Sequence, residues 1–175
     1  RVAGPLTPEQ QEIVEILDSS SRNLQKLIEQ LLDYNRKQAD GPVAREAVDL
    51  VDLVENVVAA HSLPARAKLM HTELTLQARR CLAEPALLIS VMDNLYSNAV
   101  HYGAESGNIR IHSYRHGEQV RIDVANSGEP IPAAEKNMIF EPFYQGSNQR
   151  KGAVKGSGLG LSIARDCVRQ MQGEL

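Results

Sequence analysis

Asp93-Asn94-Leu95-Tyr96-Ser97-Asn98-Ala99-Val100-His101-Tyr102 is the stretch whose reading decides the fold. With Leu88 and Val91 before it, Leu95 and Ala99 recur at steps of three and four, which predicts one apolar stripe of a buried helix. Asn94 and Asn98 are four apart, so their carboxamides stack on a neighbouring face, and His101 and Tyr102 follow within a turn. Asparagine is a weak helix former, and two on one face need a reason. Carboxamide oxygens can ligate a hard cation, and the amide N–H groups can donate to phosphate. Taken alone, the pair is explained as well by solvated amides or by bonds back to the helix.

Outward from that helix the chain reads as groups of strands and helices. Glu84-Pro85 opens it, with proline in the first turn. Before it, residues 70–76 alternate weakly and predict a strand, as do residues 80–83. Leu50, Val54, Val57 and His61 predict a helix that Pro64 bends or ends, and residues 43–50 read as a linker with a short strand. His61 and His71 read as structural or exposed. After the central helix, Ile109 and Ile111, a turn at His116-Gly117, and Val120, Ile122 and Val124 predict a hairpin. The fold expected is an α+β sandwich in which helices cover one face of one sheet.

Residues 126–156 are long and without periodicity, as in functional loops. They hold the only phenylalanines, in Ile139-Phe140-Glu141-Pro142-Phe143-Tyr144, expected to anchor the loop to the core. Gly156-Ser157-Gly158-Leu159-Gly160-Leu161 then runs into a helix with Leu161, Ala164, Val168 and Met171 on its apolar side. Such a start presents free N–H groups and a positive dipole end, a phosphate site by mechanism. Its glycine spacing fits neither the Walker nor the Rossmann pattern.

At the other end, Thr7-Pro8-Glu9-Gln10 predicts a helix start with Thr7 as N-cap and Gln10 as capping-box partner. Ile13, Leu17, Ser20, Leu24, Leu27, Leu31 and Tyr34 then alternate steps of four and three, and Ile16, Ile28 and Leu32 widen the stripe. That face fits a helix of a four-helix bundle, ending near Asp40-Gly41-Pro42, and a partner chain is expected to cover it.

The 175 residues carry a net charge of −3, and the basic residues form no block, so nucleic acid is not suggested. Cys81 and Cys167 lack metal-ligand spacing, and reduced thiols are the default. No apolar run approaches membrane-spanning length. The chain begins Arg1-Val2-Ala3 and reads as a fragment, whose parent can still be membrane-bound.

The Asn-x-x-x-Asn helix, Asn126-Ser127-Gly128, Phe-Glu-Pro-Phe and Gly-Ser-Gly-Leu-Gly-Leu occur in an order and spacing that resemble the N, G1, F and G2 boxes of bacterial sensor histidine kinases. The resemblance covers nearly the whole chain. Residues 4–37 and 146–156 are similar especially to the QseE/GlrK group of enterobacterial sensor kinases. It implies a partial dimerisation and phosphotransfer bundle over residues 1–41, represented by its second helix. Over residues 42–175 it implies a catalytic ATP-binding domain of the GHKL type, an α/β sandwich. Asn98 matches the Mg²⁺-ligating asparagine, Asn94 faces the phosphates, and both are the implied catalytic residues. His101 stands where a lysine or arginine is common, and Tyr102 matches the aromatic beside adenine. Asn126, Gly128 and Ile131 fall in the G1 segment, and Phe140 and Phe143 in the F box. Gly156, Ser157, Gly158, Leu159, Gly160 and Leu161 fall in G2, and Arg150, Lys151 and Lys155 are lid cations, equally readable as solvated charge.

The implied cofactors are ATP and Mg²⁺. The implied partners are a response-regulator receiver domain and a second copy through the bundle helix, with no nucleic acid. The implied setting is the cytoplasmic portion of an inner-membrane protein. Three departures stand out. Asn126 and Pro130 replace the usual aspartate and second glycine of G1. None of the five histidines has the phosphoacceptor context, so that residue is expected upstream of Arg1. The family's last strand is missing, so an open sheet edge is expected. The alternatives are a docking module with a degenerate nucleotide site, or an ATPase related to gyrase, Hsp90 or MutL. The latter use a glutamate base where this chain has Asn94, which cannot take a proton from water at neutral pH.

Overall fold

A computed structural model of the chain describes Thr7, Gln10, Gln11, Ile13 and Val14, residues 43–146 and residues 157–175. The chain divides into two units, Arg1–Gly41 and Pro42–Leu175. In the first, the capping box is present in both directions. The Thr7 N–H donates to Gln10 Oε1 at 3.0 Å, and the Gln10 N–H donates to Thr7 Oγ1 at 3.2 Å. Ile13 and Val14 are exposed, and the remainder of the heptad seam lies outside the described residues.

The second unit runs β1 (Glu46–Asp49), α1 (Leu50–Ala60), α2 (Ser62–Ala67), β2 (His71–Leu76), β3 (Arg80–Ala83), α3 (Pro85–Tyr102), β4 (Asn108–His116), β5 (Gln119–Asn126), a 3-10 turn (Met138–Phe140) and α4 (Gly160–Gln170). The expected single sheet is two hydrogen-bonded groups. β1 and β3 pair antiparallel, with Val48 opposite Cys81. β2 pairs parallel to β4, with Leu74 opposite Ile111, and β4 pairs antiparallel to β5, with Ile111 opposite Val124. The groups join where the Ser113 carbonyl accepts from the Gln77 and Ala78 N–H groups and the Ser113 hydroxyl donates to the Ala78 carbonyl at 2.7 Å. That turn ends the β2 ladder, and β3 leaves to pair with β1 instead.

α1 starts on Asp49, whose carboxylate accepts from the Val51 and Asp52 N–H groups. It ends at Ala60, before Pro64. The Pro64 ring would clash with the carbonyl four residues back, so the break falls at His61 and proline sits in the first turn of α2. His61 is half-buried and pairs through Nε2 with Asp93 Oδ1 at 2.7 Å, and His71 is exposed.

α3 is buried on two sides, which splits the stripe read from the sequence. Leu88, Met92, Tyr96, Ala99 and Val100 join Leu50, Val54, Ile109 and Ile111 in the main core. Leu87 and Val91, with the half-buried Leu95, turn instead to Ala164 and Cys167 of α4. Each fully buried large side chain contributes about 1.5–3 kcal/mol. Tyr96 is wholly buried, and its hydroxyl is satisfied by Thr72 Oγ1 at 2.7 Å. On α4 the buried residues are Ser162, Ala164 and Cys167, with Val168 and Met171 partly buried, whereas Leu161 is half-exposed outside that cluster. The far end of α4 is tied to the linker: Arg45 donates to the Met171 carbonyl at 3.2 Å and to Gln172 Oε1 at 3.0 Å.

Candidate functional site

The packing of α4 across α3 brings the two sequence signals together. A Cβ added at Gly160 would lie 2.9 Å from Asn94 Oδ1, so the first turn of α4 rests directly on the Asn94 carboxamide. Asn94 is only 8% exposed. Its Nδ2–H donates to the Ser90 carbonyl at 2.8 Å. The back-bond to the helix and a place beside the start of α4 thus coexist. One of the two amide hydrogens is used internally, and Asn94 keeps the other and its oxygen. Asn98, one turn on, is half-buried, and among the described residues its side chain has no hydrogen-bond partner.

The turn into α4 is pinned to the aromatic loop through the backbone. The Phe143 N–H donates to the Gly158 carbonyl at 2.9 Å. Gly158 has φ +70, and a Cβ there would fall 2.7–2.9 Å from Phe143 and Tyr144 main-chain atoms. Only glycine meets both conditions. Phe143 itself sits at φ 65, and its side chain is exposed. The expectation that the phenylalanine rings anchor the loop to the core is therefore corrected. The 3-10 turn buries no residue, Phe140 is half-buried against Arg165, and the anchor near Phe143 is a main-chain bond.

Below the α3 C-terminus, the G1 segment closes the other side. The Ala104 N–H donates to the Ser127 carbonyl and the Asn108 N–H to Ser127 Oγ, at 2.8 and 3.1 Å. Gly128 lies beneath the Tyr102 carbonyl, where a Cβ would come within 3.0 Å. Asn126 is exposed and its Nδ2–H donates to the Ser127 carbonyl at 3.2 Å. An aspartate has no donor for that bond, so the departure from the usual residue has a local structural use and leaves Oδ1 as an acceptor. Ile131 and Tyr102 are both exposed beside this segment in sequence, and Tyr102 meets His101 edge to face at 4.7 Å.

His101 stands where the family commonly has a lysine or arginine. Desolvation first, and the Lys68 charge second, hold its imidazole below the usual range, which disfavours the charged form. Lys68 donates to the Val100 carbonyl at 2.8 Å and to the His101 carbonyl, closing the C-terminus of α3 with its own cation. No sequence pattern marks Lys68, 32 residues away from Val100. Arg165 was missed likewise: it belongs to the α4 periodicity and meets Phe140 and Glu141 only in space. Ser157 accepts the Leu159 N–H at 3.2 Å, and Leu159 is buried at the start of α4. Arg150, Lys151, Lys155 and Gly156 lie outside the described residues.

Residues 83–175 match the family described as histidine kinase-, DNA gyrase B-, and HSP90-like ATPase. The whole chain is similar to the sensor histidine kinase GlrK of Escherichia coli (strain K12), with 75% identity over 175 residues, 100% of this chain and 37% of that protein. The chain thus spans little more than a third of the length of the curated relatives it matches. Among solved structures, the catalytic domain of histidine kinase ThkA aligns with a TM-score of 0.62 at 30% identity, over 73% of this chain and 81% of that one. Histidine kinase ThkA in complex with response regulator protein TrrA aligns with a TM-score of 0.73 at 26% identity, over 98% of this chain and 47% of that one. An asparagine-bearing helix meeting a glycine-led helix start, in an α+β sandwich that this family matches over residues 83–175, makes the chain a member of the histidine kinase-, DNA gyrase B- and HSP90-like ATPases.

Proposed function

We propose that residues 42–175 are the Mg·ATP-binding catalytic domain of a two-component sensor histidine kinase, and that residues 1–41 belong to its dimerisation bundle. The domain would transfer the γ-phosphoryl of ATP to a histidine of the parent protein outside these 175 residues, for relay to a response-regulator aspartate. One observation carries the reading: the Asn94 oxygen lies under Gly160, at the start of a helix that no side chain caps. Free N–H groups, a positive dipole end and a row of carboxamides converge there, which is what a polyphosphate with a hard cation asks for.

The donor set fits Mg²⁺. Among the described residues Asn98 offers a carboxamide oxygen without a partner, and no three carboxylate, histidine or cysteine side chains cluster as metal ligands. Ligation would rest on Asn98, phosphate oxygens and water. A bound Mg²⁺ would offset charge on the transferring group. The chain's own contribution is positioning and fixed dipoles, as phosphoryl transfer requires. Asp93, the carboxylate next to Asn94, is turned to His61. Asn94, buried as a neutral amide, cannot draw a proton from water as a glutamate at that position would, which favours transfer over hydrolysis. Gly158, held by Phe143, sets the lid over the phosphates, and Arg150, Lys151 and Lys155 are its candidate cations. Tyr102, Asn126 and Ile131 would border adenine.

ThkA was solved with a response regulator, and similarity to it supports a receiver-domain partner for this chain. Among the described residues no helix is long and apolar enough to cross a membrane, and anchoring in the inner membrane, with this part in the cytoplasm, would reside in the parent. Homodimerisation would use the bundle helix. Calorimetry with a non-hydrolysable ATP analogue tests the core of the reading. Mg²⁺-dependent binding is expected, and Asn98→Ala should abolish the Mg²⁺ dependence with the fold intact. A folded chain that binds no nucleotide at millimolar concentration would favour the docking module.

A further inference from the structure

The loop that carries Phe143 must be held, because Phe143 occupies the left-handed region at φ 65 and its exposed side chain buries little. Two features of the α4 segment reach it. One is the Gly158 carbonyl, which accepts from the Phe143 N–H. The other is Arg165. Its guanidinium carbon lies 5.8 Å from the Phe140 ring centroid, within cation–π range, and its Nη1 lies 3.5 Å from Glu141 Oε1. The Arg165 side chain is only 21% exposed, and among the described residues its buried Nε has no hydrogen-bond partner. A guanidinium kept in so costly a place, across the loop that carries Phe143, calls for a role.

We propose that Arg165 is a positioning residue for the nucleotide site. By fixing Phe140 and Glu141 on α4 it places the Phe143 N–H, and through that bond the Gly158 carbonyl and the glycine turn that faces the phosphates. This rests on the nucleotide-site reading above. Among the described residues Arg165 is paired with Phe140 and Glu141 and not hydrogen-bonded to Asn94 or Asn98, so it acts through the loop. The ring contact and the buried stem carry the effect, since Glu141 is 63% exposed and an ion pair there is weak.

The test compares the 175-residue chain with Arg165→Ala, Arg165→Lys and Phe140→Leu. Two readouts are taken: calorimetric affinity for a Mg²⁺-bound non-hydrolysable ATP analogue, and hydrogen exchange of the Phe143 amide. Arg165→Ala is expected to weaken the analogue about tenfold and to speed Phe143 exchange to a similar degree, with β4 amides unchanged. Arg165→Lys should recover most of the affinity, because a cation still covers the ring, and Phe140→Leu should repeat part of the loss. Wild-type affinity and exchange in Arg165→Ala overturn the proposal. So does acceleration spread equally through β4, which marks general stability alone. If Arg165→Ala does not fold, Phe140→Leu decides by the same two readouts. A wild-type chain that binds no analogue overturns the nucleotide reading and this role with it, whereas wild-type binding with an indifferent Arg165→Ala overturns this role alone.

Discussion

Helices α1 and α3 begin on a carboxylate, and α4 does not. Asp49 accepts the N–H groups of Val51 and Asp52, and Glu84 accepts that of Leu87. Leu159 offers α4 nothing. The C-termini are closed as well: Lys68 covers the last carbonyls of α3, and Arg45 reaches the Met171 carbonyl. Among the described residues, of the three helices longer than two turns only α4 starts without a side-chain cap, and that start lies over Asn94. An uncapped start forgoes about 1 kcal/mol. The comparison singles out α4 as the long helix whose first-turn donors no side chain takes.

The largest expected break is Gly158→Ala. A Cβ would meet the Phe143 backbone within 2.9 Å at a φ of +70. We expect roughly 2 kcal/mol lost, from left-handed strain alone at the upper end, and ATP-analogue affinity down by on the order of tenfold or more, read by denaturant melts and calorimetry. Ser157→Asp sharpens the comparison by placing a carboxylate two residues before the Leu159 N-cap, at the positive end of α4. The new carboxylate should raise the melting temperature slightly and repel phosphate, lowering affinity several-fold. A rise in affinity would sink the assignment of α4 as the phosphate end. Asp49→Ala is the converse control: about 1 kcal/mol of stability lost and affinity unchanged.

The smallest effect concerns His101. Its folded pKa is depressed, first by desolvation and then by Lys68. Between that lowered value and about 6.5, the unfolded chain binds a proton that the folded chain refuses. Stability should therefore rise with pH across that window and fall on acidification. His101→Gln should show a shallower loss between pH 7.5 and 5.5 in parallel melts, and equal slopes would show that Lys68 and burial leave His101 unaffected.

Much of this was legible in the residues because it is local. Thr7 and Gln10, four positions that span one turn, cap each other as their types demand. Pro85, the hairpin about His116-Gly117 and the glycine-led start of α4 are all fixed within a few residues of themselves. The four boxes were visible as well, since each is a short run. What misled was anything that depended on a surface not yet formed. The phenylalanines read as an anchor because aromatic rings are usually buried, yet the loop is held by a main-chain bond that no side chain announces. The Lys68 charge beside His101 could not be seen in the sequence either, because it arrives from another helix end.

By itself the sequence determined most of the helices and strands, where α3 begins, and that asparagine, glycine and aromatic signals stand in the order of a nucleotide site. The tertiary structure alone decided which side of α3 faces the sheet and which faces α4, and that Gly160 comes to rest on Asn94. It also decided that the start of α4 stays uncapped over Asn94 while the ends of α3 and α4 are closed by residues as far off as Lys68 and Arg45. Capping and periodicity act over a turn, whereas close packing and long-range charge depend on which surfaces the folded chain brings together.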